Sequence, residues 1–297
     1  MKTDLEEYGK VIENVEIKTL TTYKVGGIAK YVIYPYDVDR LIDLMHYLKN
    51  NNIKHKVIGN GSNLIFSDNL YDGVLIKLSN FDKVKFYYNK IDVEAGFSLP
   101  KLCQMAAKKS LTGLEFASGI PGTIGGAIYM NAGAYKSDMG YIVVDVRVLT
   151  PDYRIITLVN KELDYHYRSS FFQTHKGYII LDATIRLKKG KRELIEEVME
   201  DRRRRRIETQ PLEYPCAGSV FRNPENNFAG KLIEDLNLKG YTIGGAKISE
   251  KHANFIINYN NATGEDVKKL IELIQNKVEK KYNIKLHLEQ ELVNWEK

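Results

Sequence analysis

The sequence predicts an α+β protein of two domains, and three observations carry that expectation. The chain has 297 residues, which divides into two domains at about 100 to 200 residues each. Helical and strand-like patterns interleave along its first two thirds. Its last hundred residues then bring a new helix pattern, two glycine-punctuated stretches and one strong amphipathic helix. With 43% apolar and 28% charged residues and no long apolar run, a membrane span, a collagen-like rod and wholesale disorder are excluded. The charge sum of 44 basic and 38 acidic residues leaves +6, which suits an anionic ligand and is too weak to mark a nucleic-acid protein.

The elements follow in order. From Val38, the residues Leu41, Leu44, Met45 and Leu48 recur at helical spacing, and after Asn50-Asn51-Asn52 the run HKVIG reads as a short buried strand. VLIKL, KVKFYY and KIDVEAG are rich in β-formers and broken by turn residues, and helical character returns from Leu99 to Lys109. YIVVDVRVLT, YRIITLVN and GYIILDATIRLK are strand-like, and YHYRSSFFQTHKG between the last two is an ordered loop. A helix starts near Lys191, with Leu194, Ile195 and Val198 on one side and Glu200 four residues before Arg204, and a domain boundary is expected there, between 1–194 and 195–297. TGEDVKKLIELIQNKVEKKY has Thr263 as N-cap and faces Val267, Leu270, Ile271, Ile274 and Val278 inward.

Cys103 and Cys216 lie far apart without CxxC spacing, so neither a disulfide framework nor a thiolate metal site is expected. The N-terminal stretch has three acids in its first seven residues and no apolar core, so it does not read as a secretory signal, and the cytoplasm is the expected compartment.

Five segments can carry chemistry. VIGNGSNLIFSDN, residues 57 to 69, places Gly59, Asn60, Gly61, Ser62 and Asn63 after a strand. It is either a phosphate cradle of exposed N–H groups or a Gly/Asn turn, and it lacks both the dinucleotide fingerprint and the Walker lysine. GLEFASGIPGTIGGAIYMNAGAY, residues 113 to 135, clusters Gly119, Gly122, Gly125 and Gly126 around Pro121, leaving room for a flat or large ligand against the backbone. YPCAGSVFRNP holds Ser219 with Arg222 and Asn223 close behind, outside the GxSxG pattern. AGKLIEDLNLKGYTIGGAKISEKHANFIIN and HLEQEL bring Lys231, Lys247, His252, Asn254, Glu289 and Glu291 into one small domain, and if HLEQEL is a strand its two acids share a face. RRRRR, residues 202 to 206, reads as a solvated helix end before a phosphate or nucleic-acid grip.

In this order and spacing, the first four of these segments together with TTYKVGGIAKY and YRSSFFQ resemble the UDP-N-acetylenolpyruvoylglucosamine reductase (MurB) family of peptidoglycan precursor synthesis, over residues 21 to 258 and the acid beyond. The resemblance implies an FAD-binding domain of the vanillyl-alcohol oxidase (PCMH) type, built of α+β subdomains of about 1–80 and 81–194, followed by a C-terminal α+β substrate domain. It implies FAD as cofactor and NADPH as hydride donor. Gly59, Asn60, Gly61, Ser62 and Asn63 would hold the pyrophosphate, and Ser118, Gly119, Gly122, Thr123, Gly125 and Gly126 the isoalloxazine and adjoining phosphates.

The same resemblance implies catalytic roles for Arg168, Ser219 and Glu291, and substrate contacts for Arg222, Asn223 and Lys231. Glu289 is held in reserve, because Glu291 is followed by LVNWEK where the family commonly has an arginine and a late glycine. YRSSFFQ, with no long insertion after it, resembles the subgroup without an extra substrate-covering tyrosine loop. A flavin oxidase on the same type of fold is the rival enzyme, and a globular support for a basic nucleic-acid contact is the rival binding protein.

Overall fold

A computed structural model describes residues 1–295 of the chain, so the last two residues of the LVNWEK ending lie outside the described residues. The chain forms two compact units, the first made of Met1–Glu13, Tyr31–Asn60 and Gly73–Arg204, the second of Asn14–Lys30, Gly61–Asp72 and Arg205–Lys297. The expected division at 194/195 is contiguous in sequence. Compactness instead groups two short N-terminal excursions with the C-terminal third, and the units change over inside the helix Arg192–Thr209.

The first unit is organised by a five-stranded antiparallel sheet of order Ile155–Val159, Val143–Leu149, Ile179–Arg186, Lys90–Glu94, Val84–Tyr87. A four-stranded sheet of order Gly9–Glu16, Ile28–Pro35, Tyr71–Lys77, His55–Ile58 has most of its length in the same unit, with the last two strands parallel. Helix Val38–Asn50 starts where Asp37 accepts the Arg40 N–H, and it buries Leu41, Leu44, Met45 and Leu48, the stripe the sequence spacing marks. Helix Leu99–Lys108 is capped by Ser98 and carries Pro100 in its first turn, where a missing N–H is harmless. Leu102, Cys103 and Ala106 join its core, and burial pushes the Cys103 thiol up to about 12, so it stays an inert packed group.

The second unit has its own core around Tyr23, Ile65, Val220, Phe221, Ile233, Ile248, Ile256 and the inner face of helix Gly264–Tyr282. That helix begins in a reciprocal cap between Thr263 and Asp266, and all five residues expected to face inward are buried. A three-stranded antiparallel sheet, Thr242–Ile243, Ala246–Ile248 and Ile256–Asn258, and a parallel pair, Glu291–Val293 with Leu64–Phe66, complete it.

Three local expectations are corrected. Along Arg192–Thr209 only Ile195 is buried, while Leu194 and Val198 are 56% and 40% exposed, so the expected apolar side is mostly solvated. Glu200 pairs with Arg203, three residues on, and Asp201 with Arg204, while Arg192 and Glu196 pair four apart, because both spacings bring side chains together on a helix. HLEQEL is not one strand: Leu288 makes an isolated bridge with Phe221, residues 289–290 bend, and only Glu291–Val293 pairs, so the alternation that would put Glu289 and Glu291 on one face is interrupted.

Candidate active site

In the first unit the two glycine segments meet. A Cβ on Gly59 would lie 2.7 Å from Thr123 Oγ1, so the strand end His55–Ile58 can abut the Gly122–Gly126 turn only without a side chain. Thr123 caps the short helix Ile124–Tyr129 by accepting the Gly126 N–H at 3.3 Å, and the Gly125 N–H donates to Ala95 O at 2.8 Å. A Cβ on Gly126 would meet only Thr123 Oγ1, at 3.4 Å, so the bareness there serves no packing. Ser118 turns back to donate to Glu115 O at 3.0 Å, and Gly119 is half-buried in the turn before Pro121.

The N–H groups of Gly59, Asn60, Gly122 and Thr123 make no hydrogen bond to any described residue, although Gly122 and Thr123 are buried. Buried donors without acceptors are costly, so this surface is built for an acceptor-rich group laid against main chain. Lys77, which the sequence reading passed over, adds a cation: its Nζ donates to Gly59 O at 3.0 Å, and burial lowers its pKa. The rest of the loop belongs to the second unit, where Gly61 sits at φ +61° with its Cβ position 2.8 Å from Leu20 O. Beside it Thr21 Oγ1 is buried without a partner. Ser62 is half-buried, and Asn63 ties the loop down by donating to Glu289 O at 2.9 Å. Backbone donors, a lysine and an open glycine face are what a dinucleotide cofactor's pyrophosphate and flat ring require, so the residues present fit FAD.

Arg168 lies in the first unit at the second central position of a tight hairpin closed by reciprocal bonds between His166 and Ser169. Its φ is +55°, a conformation that costs a non-glycine residue about 1 to 3 kcal/mol and persists where surroundings over-determine it. Arg168 Nη2 donates to Gly133 O at 2.7 Å and the guanidinium lies 5.2 Å from the Tyr167 ring centroid. The guanidinium is thus anchored on a half-buried, left-handed residue of the hairpin.

Ser219 lies in the second unit on a cavity of about 390 Å³ whose wall also includes Asn223, Lys231, Lys251, His252 and Asn254. Gly218 before it takes φ +76° with nothing within 4 Å of its Cβ position, which leaves the approach to the serine open. The chain after Ser219 is pinned: Val220 N–H donates to Asn254 O at 2.9 Å, and Glu289 N–H to Val220 O at 2.9 Å. Gln290, 3% exposed, donates to Ala217 O at 3.0 Å and Gly218 O at 3.1 Å. Burial, with Lys239 acting in the same direction, lowers the His252 pKa, and its Nδ1 accepts the Asn254 N–H at 3.2 Å, leaving the ring proton on Nε2.

Asn223 is exposed and accepts the Ala229 N–H at 3.1 Å, and Lys231 is exposed in a pair with Asp235 at 3.3 Å. Arg222 is half-buried and its N–H donates to His287 O at 2.9 Å. Glu291 is half-buried at the start of its strand, its N–H on Asn63 O at 2.9 Å. The structure thus gathers Ser219, Asn223 and Lys231 about one cavity. Arg168 belongs to one unit and Ser219 and Glu291 to the other. Among the described residues no three His, Cys, Asp or Glu side chains group as metal ligands, and no helix is long and apolar enough to cross a membrane. Asn131, Gln173 and Gln290 are missed by the sequence reading as supports of these segments, and Asn254 is named there without its partner, since an amide's partner is visible only after folding.

The FAD binding domain profile matches residues 29–158, and the profile of the UDP-N-acetylenolpyruvoylglucosamine reductase C-terminal domain matches residues 210–293. The reductase of that name from Caldanaerobacter subterraneus subsp. tengcongensis is 47% identical, covering 99% of this chain and 96% of its own. The crystal structure of the Thermus caldophilus enzyme superposes with a TM-score of 0.81 at 34% identity, over 96% of this chain and 99% of that one. A BBE-like 1 variant from Physcomitrella patens, 16% identical, covers 63% of this chain and 44% of its own with a TM-score of 0.50, a likeness of fold. The architecture is α+β, an FAD-binding domain of the vanillyl-alcohol oxidase type with a C-terminal α+β domain. The chain belongs to the UDP-N-acetylenolpyruvoylglucosamine reductase family.

Proposed function

We propose that Arg168, Ser219 and Glu291 carry the chemistry of this enzyme, with residues 1–194 as its FAD-binding part and 195–297 as its substrate-binding part. The protein is an FAD-dependent oxidoreductase that reduces UDP-N-acetylglucosamine enolpyruvate to UDP-N-acetylmuramate with NADPH, a step of peptidoglycan precursor synthesis. When bound, FAD relays a hydride from NADPH to the substrate. Gly59, Asn60, Gly61, Ser62 and Asn63 hold the pyrophosphate, and Ser118, Gly119, Gly122, Thr123, Gly125 and Gly126 hold the flat ring and neighbouring phosphates. The cytoplasm is the compartment this reading assigns, as the sequence reading of the N-terminal stretch expects.

Hydride addition to the terminal methylene carbon of the enol ether turns it into a methyl group and leaves an electron pair on the carbon bearing the carboxylate. Arg168 offers planar, permanently charged donors to that carboxylate as the charge spreads into it. Ser219 gives its hydroxyl proton to the carbanionic carbon, and Glu291 orients the carboxylate or shares a proton with it. Arg222, Asn223 and Lys231 bind the nucleotide sugar. The observation that supports this reading most directly is Arg168 itself, kept at φ +55° with its guanidinium tied to Gly133 O.

Anaerobic stopped-flow absorbance tests it by reading two half-reactions separately. In Ser219→Ala, NADPH should bleach the flavin at the parent rate while the enolpyruvyl sugar restores the colour far more slowly. Equal losses in both half-reactions would overturn the assigned role.

A further inference from the structure

Gln173 stands three residues beyond the Ser169–Ser170 step of the arginine hairpin, in the short helix Phe171–Thr174. Its side chain is half-buried, and the atoms facing its Nε2 are all acceptors: Arg168 O at 3.0 Å, Tyr129 O at 3.2 Å and, more weakly, Met130 Sδ at 3.7 Å. Two amide hydrogens therefore go to two carbonyls, one of them on the strained residue itself. The same hairpin is held at its other end by Asn131, 1% exposed, which donates to His166 O at 2.8 Å and accepts the Gly140 N–H at 3.0 Å. Ser170 adds a bond to Tyr129 O at 2.6 Å. All of these residues lie in one unit.

A hairpin that keeps a non-glycine residue left-handed must be tied on both sides, or the peptide relaxes and swings the side chain. Rotation about the Arg168 peptide would move the guanidinium off Gly133 O. We propose that Gln173 is a positioning residue for Arg168: by bridging Arg168 O to Tyr129 O it fixes the strained turn that aims the guanidinium. This rests on the reading that Arg168 receives the substrate carboxylate. In this role Gln173 acts on the substrate step through the arginine, and its bond to Tyr129 O ties it also to the helix Ile124–Tyr129, which is why both half-reactions are read.

The test is a double-mutant cycle on the FAD-loaded enzyme, with Gln173→Met keeping the chain length and losing the donor. In the parent background it should slow substrate-driven flavin reoxidation by about tenfold to a hundredfold, the scale of a roughly 1 Å misplacement, while NADPH-driven reduction stays within twofold. In the Arg168→Ala background the same change should cost less than twofold, because two residues acting as one do not add. An unchanged parent-background rate, or an equal loss in both backgrounds, overturns the inference. An Arg168→Ala enzyme that reoxidises normally overturns the reading of Arg168 beneath it. Should Gln173→Met fail to hold flavin, Gln173→Lys, which keeps donors for both carbonyls, carries the test: a rate within twofold of the parent supports the role, and a tenfold or greater loss in both backgrounds overturns it.

Discussion

Asn254 holds Phe221 by both of its backbone polar groups: its Oδ1 accepts the Phe221 N–H at 3.0 Å and its Nδ2 donates to Phe221 O at 2.8 Å. Both residues are buried, at 4% and 1% exposure, so water cannot replace the amide. This places a side chain from one segment as a substitute strand partner for the residues directly after Ser219. Asn254→Ala leaves two buried groups unmatched, each at about 1 to 3 kcal/mol. A drop in the urea midpoint without a change in slope is the expected result, with substrate-driven flavin reoxidation suffering more than NADPH-driven reduction.

Gly218→Ala separates backbone strain from crowding. A Cβ there meets nothing within 4 Å, yet φ is +76°, so the whole cost is conformational, about 1 to 2 kcal/mol. The turn should relax and draw Ser219 away from its cavity wall. Reoxidation by the enolpyruvyl sugar is expected to slow with flavin content unchanged, which absorbance at the flavin band and stopped flow measure together.

What the sequence made legible is what local rules govern. Thr263 with Asp266 and the stripe from Val267 to Val278 are a cap and a period, and both form as read. Glycine clusters are equally local, and Gly59 against Thr123 joins the two segments that were singled out separately. The side of Arg192–Thr209 departs from the expectation because a periodic stripe does not say whether anything will cover it, and there only Ile195 is covered. The partners of the supporting amides are hidden for another reason: Gln173 reaches Tyr129 across 44 positions and Asn254, a candidate by its segment, reaches Phe221 across 33, and such pairs belong to tertiary packing. Arg168's left-handed backbone was likewise hidden, since nothing in YRSS announces it.

His252 gives the protein an acid-sensitive contribution to stability. Burial, then Lys239, lowers its pKa in the folded state below the ordinary 6.5, against smaller opposing effects of its own backbone bond and Glu234. The unfolded chain then binds the proton first, so stability from this group is complete above pH 6.5, falls as pH drops from there to the folded value, and is constant below it. Thermal unfolding between about pH 5 and pH 8 should show this acid limb. In His252→Gln the limb should flatten, and an identical pH profile for both proteins would remove the histidine from the account.

Gly61 and Gly126 lie in the two glycine clusters, but the structure gives them opposite reasons for lacking a side chain. At Gly61 a Cβ would fall 2.8 Å from Leu20 O on a backbone at φ +61°, so Gly61→Ala must destabilise the apoprotein through strain and collision alike. At Gly126 the backbone is helical and the Cβ position meets only Thr123 Oγ1 at 3.4 Å, so Gly126→Ala should leave the apoprotein as stable as before or firmer by about 0.5 to 1 kcal/mol. If Gly126 is bare because a flavin lies against it, that same alanine must weaken FAD uptake although it strengthens the fold. Apoprotein melting temperature and FAD titration by fluorescence quenching read the two effects independently. A Gly126→Ala protein that binds FAD as tightly as the parent would free this turn from the cofactor and leave the Gly59 to Asn63 loop to hold it alone.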